Sequence, residues 1–184
     1  MKKARLLAIF ALLLFAVLLS AAAFADAADS YGTPELEFKK KSFVGGQMLP
    51  VYSGPGYEYP RPTGYAKVST NDTIWMAGRK GSWALVMYQK SKGGFRVGWI
   101  DASKLQYTLG GRSVHLTNRS AKIMTACDLT DDPKNRSYTL AKLTSGESVT
   151  FLASYYDHIQ WAYIEVWADA PICGFVPMSN IDSR

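Results

Sequence analysis

Short runs of alternating and continuous hydrophobic residues, each closed off by turn residues, mark this chain as strand-built. In the first half Trp83-Ala84-Leu85-Val86-Met87-Tyr88 is followed by a turn at Gly93-Gly94, then Phe95-Arg96-Val97 and Gly98-Trp99-Ile100. In the second half Trp161-Ala162-Tyr163-Ile164-Glu165-Val166-Trp167 is followed by a turn near Ala170-Pro171, then Cys173-Gly174-Phe175-Val176. Each predicts a β-hairpin, and each ends in Gly-aromatic-aliphatic. Upstream, Met48 to Tyr52 reads as a strand placed at an edge by Pro50. Ser53-Gly54-Pro55-Gly56 opens an irregular loop running to Thr63, Tyr65 to Val68 is a short strand or loop arm, and Thr73 to Ala77 is a further strand. Ala121 to Cys127 and Ser148 to Ala153 take the corresponding places in the second half. No amphipathic run reaches three helical turns. The pattern therefore predicts an all-β protein made of two copies of one small closed sheet.

The first 25 residues stand apart. Lys2, Lys3 and Arg5 precede an apolar run from Leu6 to Leu19, and Ala23-Phe24-Ala25 supplies small residues for processing after Ala25. This is the pattern of a secretory signal peptide, with an uncleaved anchor as the alternative. The apolar run is short for a membrane span. The expected organisation is a signal peptide over 1–25, a flexible lead-in over 26–43, barrel 1 over 44–106, a linker over 107–115 and barrel 2 over 116–184. Within the lead-in, Leu36 and Phe38 alternate with charged residues, which allows a short strand there. The expected location is the medium, the periplasm or the cell surface, with membrane contact only through the leader if it stays uncleaved.

Charge changes this picture slightly. The formal net charge of +6 falls to +3 without Lys2, Lys3 and Arg5. Residues 35–105 carry eleven Lys/Arg against five Asp/Glu, whereas 110–184 carry seven against eight. A basic first half favours anionic partners by long-range attraction, although scattered positive charge is also an ordinary solvated face. A nucleic-acid role needs a concentrated basic stripe with stacking rings, and export and the near-neutral second half argue against it. Export permits a disulfide. The two cysteines, Cys127 in a proposed first strand and Cys173 in a closing hairpin, are expected to pair, the alternative being two buried small hydrophobes.

Catalytic readings are weak. The only histidines are His115, in the linker, and His158, in a turn beside Asp157. A Cys–His couple would need a reduced, exposed thiol. Asp131, Asp132 and Glu165 show no spacing that would hold two carboxyls across a sugar bond. Asp128, Asp131 and Asp132 lack the glycine and terminal glutamate of a calcium loop, so neither metal nor cofactor is expected.

Val51-Tyr52-Ser53-Gly54-Pro55-Gly56, a polar loop, a strand ending near Met76, Gly81-Ser82-Trp83-Ala84-Leu85-Val86 and Gly98-Trp99-Ile100 together resemble the bacterial Src-homology-3-like domain. That family's pattern has a proline-containing small-residue turn after its first strand, a Gly-x-Trp opening a central strand, and a Gly-Tyr/Trp-Val/Ile closing the barrel. The first half carries all three. The second departs from the pattern: Ala126-Cys127-Asp128 replaces the turn, Gln160 precedes Trp161, and Phe175 replaces the closing Trp. The resemblance covers about residues 44–105 and 116–182, and implies two tandem small Src-homology-3-like β-barrels.

The resemblance implies a binding role toward cell-wall peptides, glycans or another exported protein. The expected function is thus an exported, non-catalytic binding protein. Scaffolding or inhibition of another exported protein is the alternative, and an unrecognised cell-wall hydrolase a minor one. By likeness to the eukaryotic fold, whose groove lies between two loops, the ligand surface of the first barrel would comprise Tyr52, Tyr57, Tyr59, Arg61 and Trp83. Tyr57 and Tyr59 are expected to be exposed, Trp75 and Trp99 to be core. The comparable cluster in the second barrel is Tyr155, Tyr156, Trp161, Tyr163 and Trp167. Strand alternation places Trp161, Tyr163, Glu165 and Trp167 on one face and Ala162, Ile164 and Val166 on the other. With both faces apolar, one packs the barrel and the other meets the partner barrel or a ligand.

Overall fold

Residues 32–43, 46–62, 66–90, 93–105, 110–133 and 138–183 are described by a computed structural model. The expected signal segment 1–25, the first three residues of the expected linker, 107–109, and the loop residues 134–137 lie outside the described residues. Pro34–Arg184 forms one compact unit. Among the described residues no helix is long and apolar enough to cross a membrane.

The described chain is all-β, with antiparallel strand pairing throughout its sheets and no α-helix. Its strands are β1 (Lys39–Lys41), β2 (Met48–Pro50), β3 (Lys67–Ser69), β4 (Ile74–Lys80), β5 (Trp83–Gln89), β6 (Phe95–Asp101), β7 (Arg119–Ile123), β8 (Cys127–Thr130), β9 (Thr139–Leu143), β10 (Ser148–Asp157), β11 (Ile159–Trp167), β12 (Pro171–Pro177) and β13 (Ile181–Asp182). Single 3-10 turns, Ala102–Lys104 and Met178–Asn180, follow β6 and β12. Three sheets form, in the orders β1-β4-β5-β6, β2-β3 and β13-β7-β10-β11-β12-β8-β9. None of them closes on itself; an antiparallel bridge between Tyr52 and Trp99 ties the β2–β3 hairpin to β6.

The two halves repeat one pairing scheme. In the first, β5 pairs with β6 through Leu85–Trp99 and Val86–Gly98; in the second, β11 pairs with β12 through Tyr163–Phe175 and Ile164–Gly174. Each long outer strand carries a bulge at the same place, Ala77 between Met76 and Gly78, and Leu152 between Phe151 and Ala153. The closing glycines share a cause. A Cβ on Gly98 would lie 2.4 Å from Val51 Cγ1 and 2.9 Å from the Tyr52 carbonyl; on Gly174 it would lie 2.8 Å from Leu129 Cγ and 2.9 Å from the Thr130 carbonyl. This equivalence corrects one assignment. The partner of the Val51-Tyr52 stretch is β8, while the strand at 119–123 corresponds to β1 of the lead-in.

Alternation then explains three cores. Ala84, Val86 and Tyr88 of β5 fill the first half's own core with Val51, Val68, Ile74 and Ile100. Ala162, Ile164 and Val166 of β11 fill the second half's core with Leu129, Phe151 and Val176. The opposite faces, Trp83, Leu85 and Met87 on one side and Trp161 and Tyr163 on the other, meet in a third core that the halves share. Six of the seven residues of β5 are buried for this reason.

The chain between these elements straps the halves together. Leu36 donates its amide to the Ser154 carbonyl at 2.8 Å, and Ser154 donates to Pro34 at 2.8 Å. Reciprocally, Val114 donates to the Arg79 carbonyl at 2.8 Å and Arg79 to Arg112 at 3.0 Å. Each half's leading segment thus bridges in parallel onto the other half's long strand.

The expected disulfide is overturned. Both cysteines are free thiols. Cys173 lies in the shared core and Cys127 packs against the second half's own core, on the other side of the sheet. Carrying the Phe175–Thr130 register outward sets Cys173 opposite Asp132, five residues from Cys127. At strand rise this separation is on the order of 15 Å, beyond the roughly 7 Å a disulfide spans between Cα atoms.

Candidate functional site

The loop that leaves Val51 cannot continue as a strand, because Pro55, Pro60 and Pro62 interrupt it. It folds back on itself, with Ser53 donating to the Pro60 carbonyl at 3.0 Å. The Tyr59 ring occupies the space where a side chain on Gly54 would stand. This fold-back sets Tyr57 over the start of β5. Its ring meets Trp83 at 5.0 Å and Tyr52 at 5.5 Å, and Tyr52 meets Trp83 at 5.3 Å, all edge to face. Such contacts add to the apolar area the rings bury.

One carboxylate organises the cluster. Asp101 pairs with Trp83 across β5–β6 and accepts the Tyr57 hydroxyl. It also caps the 3-10 turn, accepting from Ser103 N at 3.0 Å and Ser103 Oγ at 2.5 Å. Burial opposes its ionisation, but the bonds from Ser103 and Tyr57 outweigh that and hold its carboxyl below the usual range. The Tyr57 hydroxyl is correspondingly raised, first by its bond to Asp101 and then by burial. An Asp two residues ahead of Ser is a recognisable cap, but nothing in the sequence singles out Asp101 as the group that orients Tyr57.

The arrangement leaves few of the expected ligand residues open. Tyr57 is 61% exposed and Tyr52 half-buried, with Trp83 buried as their floor. Tyr59, expected at the surface, is buried: its ring lies in the shared core, and its hydroxyl donates to Glu165 Oε2 at 2.9 Å. Burial, foremost, with Cys173 and Glu165 nearby, pushes that hydroxyl well above its ordinary value. Arg61 is half-buried and donates to the Ala66 carbonyl at 2.9 Å, and Arg79 to the Gly81 carbonyl at 3.2 Å, so both guanidinium groups serve the fold. Trp99 is core as expected, whereas Trp75 is only half-buried, against Phe95 at 5.5 Å.

In the second half Tyr155, Trp161 and Tyr163 are sealed in the shared core, which corrects their reading as ligand residues. The face that alternation set aside for either a partner barrel or a ligand is taken by the partner half. Tyr156 and Trp167 remain open, 64% and 72% exposed. Tyr156 lies on an extension of the β10–β11 hairpin, where Tyr156–Gln160 and Asp157–Ile159 continue past the Tyr155–Trp161 pair.

The remaining chemistry points inward. Burial pushes the Cys173 thiol far up, with Glu165 adding to the rise, and burial also raises Cys127. His158 Nε2 lies 3.8 Å from Asp157 Oδ1 at a solvent-facing turn. Asp131 and Asp132 are buried, Asp131 Oδ2 lies 3.0 Å from Arg96 Nε, and Asp128 accepts from Thr139 at 3.1 Å. Among the described residues no three acidic, His or Cys side chains converge as a metal site. Comparison of the chain with protein-family models, with curated proteins and with solved structures gives no match.

Proposed function

We propose that this is an exported, non-catalytic binding protein in which two Src-homology-3-like barrels are fused face to face, and that it docks a cell-wall peptide or glycan on the cluster Tyr52, Tyr57 and Trp83. The repeated register of the two halves supports the barrel reading, and the basic leader with its apolar run supports export. The observation that carries the docking surface is Tyr57: a ring 61% exposed, yet fixed over Trp83 by its bond to Asp101. A tyrosine held in place with its face in water loses little conformational entropy when a ligand covers it. The second half has Thr130 where the first has Tyr52, so the role is placed in the first half's groove.

Co-sedimentation of the chain lacking residues 1–25 with purified peptidoglycan tests this reading. Retention at low salt that drops severalfold in Tyr57→Ala supports it; a folded protein that stays in the supernatant overturns it. One observation favours a second reading, a docking module for another exported protein. The extended β10–β11 hairpin carries exposed Tyr156 and Ile159 beyond the body of the sheet. Light scattering of the chain mixed with envelope extract, compared with the Tyr156→Ser and Ile159→Ser variants, separates the two readings.

A further inference from the structure

Trp167 is the most exposed large hydrophobic residue among those described, at 72%, and it is held in a fixed attitude. Its Nε1 donates to Glu165 Oε1 at 3.0 Å, from two residues along the same face of β11. Glu165 is itself fixed: Oε2 accepts the Tyr59 hydroxyl at 2.9 Å, with Cys173 Sγ at 3.8 Å. Tyr59 is buried and belongs to the loop that carries Tyr57. A free indole in water gains nothing from such support. Two elements, β11 and the Ser53–Pro62 loop, combine to hold it.

We propose that Trp167 and Glu165 form a saccharide-binding platform, a second contact site that takes a sugar ring of the wall glycan. This rests on the wall-binding reading above and deepens it. A pyranose presents a face of C–H groups with slight positive charge, which suits the electron-rich indole face, and a rim of hydroxyls that donate hydrogen bonds. Glu165 supplies the acceptor at the indole edge. A carboxylate offers about four lone-pair positions; the phenol and the Cys173 thiol donate to Oε2 and the indole to Oε1, which leaves one position on Oε1, beside the indole. The platform is open on its outer side, as a polymer of rings passing over it requires. The Tyr59 bond links it to the loop that bears the Tyr57 cluster.

Titration of the chain lacking residues 1–25 with a β-1,4-linked N-acetylglucosamine tetramer, followed by calorimetry and tryptophan fluorescence, tests the platform. Wild type binds with an emission shift. Trp167→Ala and Glu165→Gln each weaken binding by at least about tenfold, and Trp167→Phe keeps part of it. Because Trp167 lies at the surface, its replacement leaves the thermal midpoint in place. Tetramer binding indifferent to Trp167 overturns the platform. So does a wild type that ignores the tetramer and takes a lysine-containing peptide at Trp167 instead. If the tetramer fails while peptidoglycan retention still depends on Tyr57, the platform falls and the wall-binding reading stands; if retention fails as well, both fall.

Discussion

The indole nitrogen of Trp99 donates a 2.8 Å hydrogen bond to the Tyr163 hydroxyl, both side chains being fully buried where the two halves meet. The first half's indole N–H is satisfied by the second half's phenol. Tyr163→Phe removes the acceptor and leaves a buried N–H unpaired, a cost of about 1–3 kcal/mol. Urea unfolding monitored by tryptophan fluorescence measures it. A single transition is expected for wild type and variant, because the shared core unfolds with both halves, and an unchanged midpoint refutes the role given to the pair.

Asp131 makes stability depend on pH in an unusual direction. Burial lifts its carboxyl from the ordinary 3.8 to about 6, with Arg96 opposing the rise and Asp132 adding to it. Between those values the folded chain keeps a proton that the unfolded chain has released. This group therefore favours folding most below pH 4, and its contribution is lost as pH climbs through about 6. The change is on the order of 3 kcal/mol. Unfolding free energies across pH 4 to 8 should carry this downward component, and Asp131→Asn, neutral throughout, should remove it and leave the variant more stable than wild type above about pH 6. A pH profile identical in the variant contradicts the assignment.

Gly98 and Gly174 occupy the same place in the two halves, and a Cβ added at either would lie 2.9 Å from a backbone carbonyl of the neighbouring segment, that of Tyr52 or Thr130. Alanine at either position forces strand β6 or β12 away from its neighbour. A loss of about 1–3 kcal/mol is expected in each case, as for other overpacked interiors. Thermal melts of the two variants check the equivalence; a large effect at one and none at the other refutes it.

The free cysteines lead to a simple chemical result. With Cys173 buried and both thiols raised by burial, alkylation of the folded chain should modify Cys127 slowly and Cys173 hardly at all. In denaturant, without reductant, mass spectrometry should show two adducts. A chain that accepts none until reduced contains the bridge that the geometry rules out.

Leu36 should behave as a core residue although it lies in the expected lead-in. It is 4% exposed, in the shared core, and its amide bonds to Ser154. Leu36→Ala is expected to cost about 2–4 kcal/mol, whereas Lys40→Ala on the exposed side of β1 should cost little. Equal, small effects would return this segment to the status of a loose lead-in.

Much of this fold follows from local pattern. The runs Trp83–Tyr88 and Trp161–Val166 are apolar on both faces, which specifies strands buried on both sides, and the Gly-aromatic-aliphatic endings mark where each closing strand passes close beneath its neighbour. All-β architecture, the two hairpins and the duplication were legible for that reason. What alternation leaves open is the identity of whatever covers the second face. A strand presents Trp161 and Tyr163 identically to a ligand or to another sheet, since hydrophobicity has no direction. Only the tertiary structure decided that the other half covers them, with Tyr59 drawn in and Tyr57 and Trp167 left outside. The same holds for the cysteines and the lead-in. Whether Cys127 meets Cys173, or Leu36 finds Ser154, depends on register between segments distant in sequence, and that is settled by which contacts bury the most surface together.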